Sequence, residues 1–121
     1  MSEYISGTSY SDGKTQHAVA YRMKHGERPG FKMTELVLEK GQVIPWHTHT
    51  VVNDTFYVVE GQLRVEAKDP EESVVLNPTE THTIRYGRPH FVTSNNNERV
   101  HFVVIGDTQR AGTYDYIPFQ K

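Results

Sequence analysis

The chain of 121 residues contains no cysteine. This absence excludes disulfides, zinc–thiolate fingers, iron–sulfur clusters and thiol nucleophiles. The chain also lacks any apolar run near the roughly 20 residues that span a bilayer. It has no basic start followed by an apolar stretch, so we expect neither a membrane segment nor a signal peptide. These absences together predict a cytoplasmic protein.

The chain also lacks a large excess of charge of either sign. It has 13 Lys and Arg and 15 Asp and Glu, which gives a net charge of -2. This balance gives no reason to expect nucleic acid or an anionic membrane as a partner. The length is that of one domain. We expect a single domain over residues 1–121, with a core at about 31–105, an N-terminal arm at 1–30 and a C-terminal tail at 106–121.

Leu and Ala are scarce, with 8 residues together, whereas Val, Ile and Thr total 31. β-Branched residues favour strands and Leu and Ala favour helices, so the composition predicts an all-β domain. Many short apolar runs separated by turn residues predict a sandwich or barrel. The predicted strands are His17–Met23, Phe31–Leu38, Thr55–Glu60, Gln62–Ala67, Ser73–Leu76, Thr81–Tyr86, Phe91–Ser94, Val100–Ile105 and Tyr114–Pro118. The polar stretch Ser6–Gly13 predicts a loop, with at most one helical turn near Ser9–Gln16.

Several of these strands are apolar on both faces, as in Val74–Leu76 and Phe102–Ile105. Strict alternation would leave one face in water, so these strands need cover on the outside as well. A second sheet or a partner subunit would provide it. The aromatic tail Tyr114–Phe119 is expected to be docked, either over the barrel mouth or on a second subunit. Because two-fold dimers are the commonest assembly, we expect a homodimer.

Histidine is frequent, with seven residues, and its placement is informative. Residues i and i+2 of a strand point to the same side, so His47 and His49 share a face if the segment is extended. Pro45 favours that conformation. Asp54 opens the next predicted strand. Imidazole and carboxylate groups bind several divalent metals. An isolated His-x-His is also common on a solvated strand, so this pattern alone leaves both interpretations open.

The spacing around these histidines resembles the first motif of the cupin superfamily, G-x5-H-x-H-x3-4-E-x6-G. Gly41, His47, His49 and Gly61 fit every interval, and Asp54 occupies the position of the usual Glu. The match is specific, because four intervals agree at once.

The second cupin motif, which ends in P-x-G-x2-H-x3-N, is matched more loosely. Gly87 and His90 stand at the correct steps. Arg85 replaces the Pro, and Asn95 lies one residue late, with Ser94 in the expected place. With the strand pattern, the resemblance covers about residues 31–105.

The resemblance implies a cupin-type double-stranded β-helix, which is a jelly-roll barrel. It also implies one divalent metal ion per chain, bound by His47, His49 and His90, with Asp54 near or on the metal. The Asp54 side chain is one methylene shorter than Glu, so it either ligates the metal or orients an imidazole from further out. Fe, Mn, Ni, Zn and Cu(II) all remain possible with this donor set.

Further candidates follow from the strand period and the turns. Phe56 and Val58 share a face with the predicted carboxylate ligand and would line the cavity. His101 could face the same cavity and act as a base. Arg85 and Tyr86 would stand at the mouth, where Arg85 could bind a substrate carboxylate, although a solvated arginine is the alternative.

Many cupins with these residues are dioxygenases, isomerases, lyases or binders of small molecules. The resemblance therefore implies an enzyme that acts on a small organic molecule in the barrel cavity. A dioxygenase is the first expectation, and a metal-assisted isomerase, lyase or cyclase is another. The alternative is a non-catalytic module that binds or senses a small ligand, because fold does not determine function.

Overall fold

The computed structural model describes residues 5–11, 16–109 and 115–119. These residues form strands and turns, and they contain no helix. The strands are β1 (Ile5–Ser11), β2 (Gln16–Arg28), β3 (Phe31–Leu38), β4 (Val43–Thr48), β5 (Asn53–Glu60), β6 (Leu63–Ala67), β7 (Glu72–Leu76), β8 (Thr81–Ile84), β9 (His90–Ser94), β10 (Val100–Asp107) and β11 (Ile117–Pro118). Within the described ranges, no helical segment has the length and apolar character to cross a membrane.

The strands build two antiparallel sheets. The six-stranded sheet has the order β1-β2-β3-β10-β5-β8, and the five-stranded sheet has the order β11-β4-β9-β6-β7. Consecutive strands such as β3, β4 and β5 lie alternately in the two sheets, so the chain crosses repeatedly from one sheet to the other. This confirms the predicted all-β jelly-roll barrel.

The hydrophobic core joins the inner faces of both sheets. On β6, Leu63 and Val65 are buried while Arg64 and Glu66 are half-buried, which is the period of two expected for a strand with one face in the core. Core residues come from both sheets, among them Leu36, Leu38, Phe56, Val58 and Phe102 from one and Leu63, Val65 and Val92 from the other.

The turn that carries the chain from β5 in one sheet to β6 in the other contains Gly61, which has a φ of +87°. A Cβ at this position would lie 2.5 Å from the carbonyl oxygen of Arg99. Both the backbone conformation and the close approach therefore require glycine. The turn therefore fixes where the chain leaves the sheet that carries Asp54 and enters the other one.

The described N-terminal residues form a strand, so the prediction of a loop or a helical turn there is wrong. Residues Ile5–Ser11 pair with β2 in antiparallel register, from Ile5 opposite Arg22 to Ser11 opposite Gln16. Its sequence is mostly polar and has no period of two from which a strand could be predicted. Residues 12–15 lie outside the described part of the chain.

Two other strands differ in their bounds from the predicted ones. β2 continues to Arg28, beyond the predicted end at Met23, and pairs along β3. Residues 16–28 of the predicted arm therefore belong to the six-stranded sheet. At the other end of the chain, the strand is confined to Ile117–Pro118, and Tyr114 lies outside the described residues.

Candidate metal centre

A bulge in β4 turns His47 into the barrel. Ile44 pairs with Val92 and His47 pairs with His90, so β4 has one more residue than β9 between these pairs. Pro45 lies in the bulge, where the strand ladder does not need its missing amide hydrogen. Ile44 and His47 are both buried, although residues three apart on a regular strand face opposite sides. The bulge therefore turns the His47 side chain toward the buried interior of the barrel.

The other candidate ligands lie at neighbouring strand ends. His49 follows β4, Asp54 is the second residue of β5, and His90 is the first residue of β9. The turn before β9 is tied to the end of β4, because the amide of Gly87 donates to the carbonyl of His49 at 2.8 Å. Gly87 has a φ of 82°, which glycine adopts without strain.

The four predicted ligands converge. One ligand atom from each of His47, His49, Asp54 and His90 lies within 4.8 Å of the other three. Asp54 Oδ2 is 2.9 Å from Nε2 of His49 and 3.1 Å from Nε2 of His90. His49 is half-buried and the other three residues are buried. We call these four residues the ligand cluster.

Each imidazole of the ligand cluster is oriented by a backbone carbonyl. His47 Nδ1 donates to the carbonyl of Pro45 at 2.8 Å, and His90 Nδ1 donates to that of Arg88 at 2.9 Å. His49 Nδ1 donates to a carbonyl in the C-terminal segment. A carbonyl only accepts, so Nδ1 carries the hydrogen, and in a neutral ring Nε2 keeps its lone pair for a metal. Metal-binding histidines are oriented in this way.

The ligand cluster has more lone pairs than hydrogens when its rings are neutral. Each Nε2 and the Asp54 carboxylate can then only accept, yet Asp54 Oδ2 lies within hydrogen-bond distance of two Nε2 atoms. Such pairs need a proton or a cation between them. A divalent metal with nitrogen and oxygen ligands satisfies all four groups at once, so the residues fit the metal that the resemblance to cupins implies.

Burial and the neighbouring groups set the protonation of three members of the ligand cluster. Burial, together with His90 and His49, lowers the pKa of His47 to about 3, so this ring is neutral near pH 7. Burial favours the protonated form of Asp54, but the hydrogen bonds to His49 and His90 outweigh it and lower its pKa. Asp54 is therefore a carboxylate. Burial also disfavours a charged His49, but Asp54 outweighs it and raises the pKa of His49.

An apolar ring, that of Phe56, adjoins the ligand cluster. The Phe56 ring lies edge-on to His90, with ring centroids 6.3 Å apart. Val58 is fully buried in the core beside Phe102, its partner in register on β10. The Phe56 ring thus lowers the local dielectric beside His90, which strengthens electrostatic interactions there.

Arg85 and Tyr86 lie outside the ligand cluster, in a cavity of about 380 Å³. Its lining residues are Val51, Asn53, Arg85, Tyr86, Thr108 and Gln109. The amide of Tyr86 donates to Asn53 Oδ1 at 3.0 Å, and Asn53 directly precedes the ligand Asp54. The Arg85 guanidinium lies 5.5 Å from the centre of the Tyr86 ring. We call this cavity the rim cavity, because it adjoins the end of β5 that carries the carboxylate.

His101 does not take its predicted place in the barrel cavity. Val100 and Phe102 belong to the core, so the residue between them points to the opposite face of β10. There His101 Nε2 contacts the carboxylate of Glu35, whose other oxygen lies 2.6 Å from Nε2 of His25. The register of the six-stranded sheet brings these three side chains together away from the core.

Two residues that the sequence analysis gives no role contact the ligand cluster. The carbonyl of Asp115 accepts the hydrogen bond from His49 Nδ1. The Tyr116 ring stacks on the His47 ring, with centroids 4.3 Å apart and an interplanar angle of 11°. The signal in the sequence is the density of aromatic residues in the tail, which predicts docking over the barrel mouth or on a second subunit but assigns no contact to Asp115 or Tyr116.

The comparisons with known proteins agree with this geometry. Residues 34–106 match the family model described as a cupin domain. An uncharacterised protein with a double-stranded β-helix domain from Klebsiella pneumoniae is 18% identical over 95% of this chain and 92% of its own, with a TM-score of 0.67. A structure of DMSP lyases is 16% identical over 99% of this chain and 63% of its own, with a TM-score of 0.74.

An oxalate oxidase structure is 23% identical over 74% of this chain and 46% of its own, with a TM-score of 0.62. At these identities the structures show a shared fold. No curated protein matches the sequence.

Proposed function

This chain belongs to the cupin family, and we propose that it is a mononuclear metal-dependent enzyme that acts on a small organic molecule. The convergence of His47, His49, Asp54 and His90 within 4.8 Å carries the proposal. Three nitrogens and one carboxylate oxygen leave one or two positions of a five- or six-coordinate metal for substrate or water. A divalent ion held there supplies Lewis-acid or redox chemistry.

The residues around the ligand cluster have separate tasks in this proposal. Asp54 neutralises part of the positive charge that a divalent ion brings into the buried site. The rings of Phe56 and Tyr116 lie against His90 and His47 and exclude water from that side. A drier site strengthens the interaction between a polar substrate group and the charges that face it.

Arg85 favours a substrate that carries a carboxylate. It is the one charged side chain among the described lining residues of the rim cavity, and it is joined there by an amide and a phenol from Asn53 and Tyr86. A guanidinium binds a carboxylate through two parallel hydrogen bonds. A small organic acid held at the rim would keep its reacting end toward the ligand cluster.

The reaction class has two candidates, an oxygen-dependent oxidation as in a dioxygenase and a metal-assisted isomerisation, elimination or cyclisation. The fold is shared by an oxalate oxidase and by DMSP lyases, so it accommodates both kinds of chemistry. Oxygen uptake distinguishes them, because only the first consumes oxygen in step with substrate.

The test uses metal-depleted protein that is reloaded with Fe, Mn, Ni, Zn or Cu. Each form is incubated with a panel of small hydroxy- and oxo-carboxylates. An oxygen electrode measures oxygen uptake, and NMR identifies the products. We expect conversion with at least one metal and none in the metal-depleted protein. Arg85→Gln should raise KM more than it lowers kcat, while Arg99→Gln, an exposed arginine elsewhere, should change neither. Binding of panel members without conversion under any metal would instead indicate a ligand-binding module.

A further inference from the structure

The described C-terminal residues 115–119, which we call the C-terminal strap, lie along β4. Ile117 pairs with Thr48 and Pro118 pairs with His47. The amide of Phe119 donates to the carbonyl of Trp46 at 3.1 Å. The strap therefore runs along the strand that carries His47 and leads into His49.

Asp115 anchors the strap to the residue after His49. Its carboxylate accepts a hydrogen bond from the amide of Thr50 at 3.0 Å and another from the Thr50 hydroxyl. These bonds fix the position of the Asp115 backbone, and its carbonyl in turn accepts the hydrogen of His49 Nδ1. The Asp115 side chain thus holds the group that orients a ligand ring.

Tyr116 covers the other ring of the His-x-His pair. It stacks on His47 and meets His49 edge-on, with a centroid distance of 6.2 Å and an interplanar angle of 73°. Contact with both rings restricts how far either imidazole can tilt. Stacked and edge-on ring pairs stabilise a structure beyond the area that they bury.

The three histidines differ in how their orientation is secured. The carbonyls that orient His47 and His90 come from residues two positions earlier in the chain, so each belongs to the same local segment. The carbonyl that orients His49 comes from 66 residues away. His49 alone therefore depends on a distant segment for its ring orientation, and that segment is the strap.

We propose that the C-terminal strap is part of the metal centre, with Asp115 and Tyr116 as positioning residues that set its metal affinity and the geometry at His49. The inference rests on the proposed metal-dependent function. Loss of the strap contacts leaves the His47 and His90 rings held by their own segments and frees the ring of His49. Removal of such outer partners lowers metal affinity about 10–100-fold in known sites.

The test uses the full chain with Co²⁺ as the probe, and compares wild type with Asp115→Ala/Tyr116→Ala. The variant should bind Co²⁺ about 10–100-fold more weakly and show a changed visible spectrum. In proton NMR of the Co²⁺-loaded wild type, the three Nδ1 hydrogens give paramagnetically shifted exchangeable signals. The variant should lose one of them, that of His49, to exchange with water and keep the other two.

Asp115→Asn and Tyr116→Phe form the rescue pair, because they keep an acceptor for the Thr50 amide and an aromatic ring for stacking. Ile117→Ala changes an exposed residue of the same strap and is the matched control. The rescue pair and the control should retain the wild-type affinity for Co²⁺ and all three Nδ1 hydrogen signals. The melting temperature of each metal-free variant shows that it is folded.

The possible outcomes separate the two proposals. Equal Co²⁺ affinity and three intact signals in Asp115→Ala/Tyr116→Ala would overturn the strap inference and leave the metal centre standing. Uniform loss of all three signals in a folded variant would also overturn it, because the strap would then support the whole barrel end. Wild type that binds no Co²⁺ would overturn both proposals.

Discussion

His47 lies directly opposite His90 across β4 and β9, with ring centroids 4.2 Å apart. One of these residues belongs to the first sequence motif and the other to the second, so a single strand pair joins the two halves of the ligand cluster. Pairing in register fixes their separation through the backbone and not through side-chain flexibility. The site is therefore organised before any ligand binds.

Asp54→Asn should weaken the binding of divalent metals about 10–100-fold. The change removes the negative charge beside the two Nε2 atoms that Asp54 Oδ2 approaches, while the volume stays the same. Isothermal titration with Zn²⁺ measures the effect. Asp54→Glu, which restores the usual residue of the family motif, is the control and should bind closer to wild type. Unchanged affinity in Asp54→Asn would mean that the carboxylate is no part of the site.

Val65→Thr should lower the free energy of unfolding by about 1–3 kcal/mol, because it buries a hydroxyl without a hydrogen-bond partner in the core. Val65 is 1% exposed on β6. The same substitution at Val75, which is 40% exposed on β7, is the matched control and should change stability by less than about 0.5 kcal/mol. Urea unfolding of metal-free protein measures both. Equal losses of unfolding free energy in the two variants would mean that Val65 does not belong to the core.

The free energy of unfolding should fall in acid, because the stabilising contribution of the Glu35 carboxylate is lost when it is protonated. Burial tends to raise the pKa of Glu35, but the hydrogen bonds to His25 and His101 outweigh it, and the pKa lies below the ordinary 4.5. A lowered carboxyl pKa contributes stability above the unfolded value, and that contribution is lost as pH falls through the folded value. The urea midpoint of wild type should therefore fall between pH 6 and about pH 3.

Glu35→Gln should flatten part of this pH dependence, since an amide does not titrate. Glu39→Gln serves as the control, because Glu39 is exposed. A fall of the same size in both variants would show that Glu35 does not contribute to acid sensitivity.

We also propose that the chain forms a homodimer through the outer face of the six-stranded sheet. Tyr57 and Val59 point away from the core on β5 and are 39% and 44% exposed. Apolar area of this kind is usually covered by a partner, and a second copy offers the same surface. Light scattering should give twice the chain mass for wild type and a smaller mass for Tyr57→Glu/Val59→Glu. A monomeric wild type would contradict the proposal.

The ligand cluster could be predicted because its signals are local in sequence. His47 and His49 share a strand end, and the interval to Asp54 is that of one short loop. By contrast, the acceptor of His49 lies 66 residues away, and no local pattern points to it. The partner of His101 depends on the register between β3 and β10, which a single strand does not reveal. Strand β1 likewise forms through its pairing with β2, since its own residues carry no period of two.

The central claim is that His47, His49, Asp54 and His90 bind one divalent metal, and metal content tests it most directly. Protein purified without a His tag, as wild type and as His47→Ala/His49→Ala, is reconstituted, desalted and measured by mass spectrometry. His25→Ala, which removes an exposed histidine outside the ligand cluster, is the control. We expect about one metal per chain in wild type and in His25→Ala, and almost none in the double variant. Equal metal in all three proteins, or none in any of them, would contradict the account.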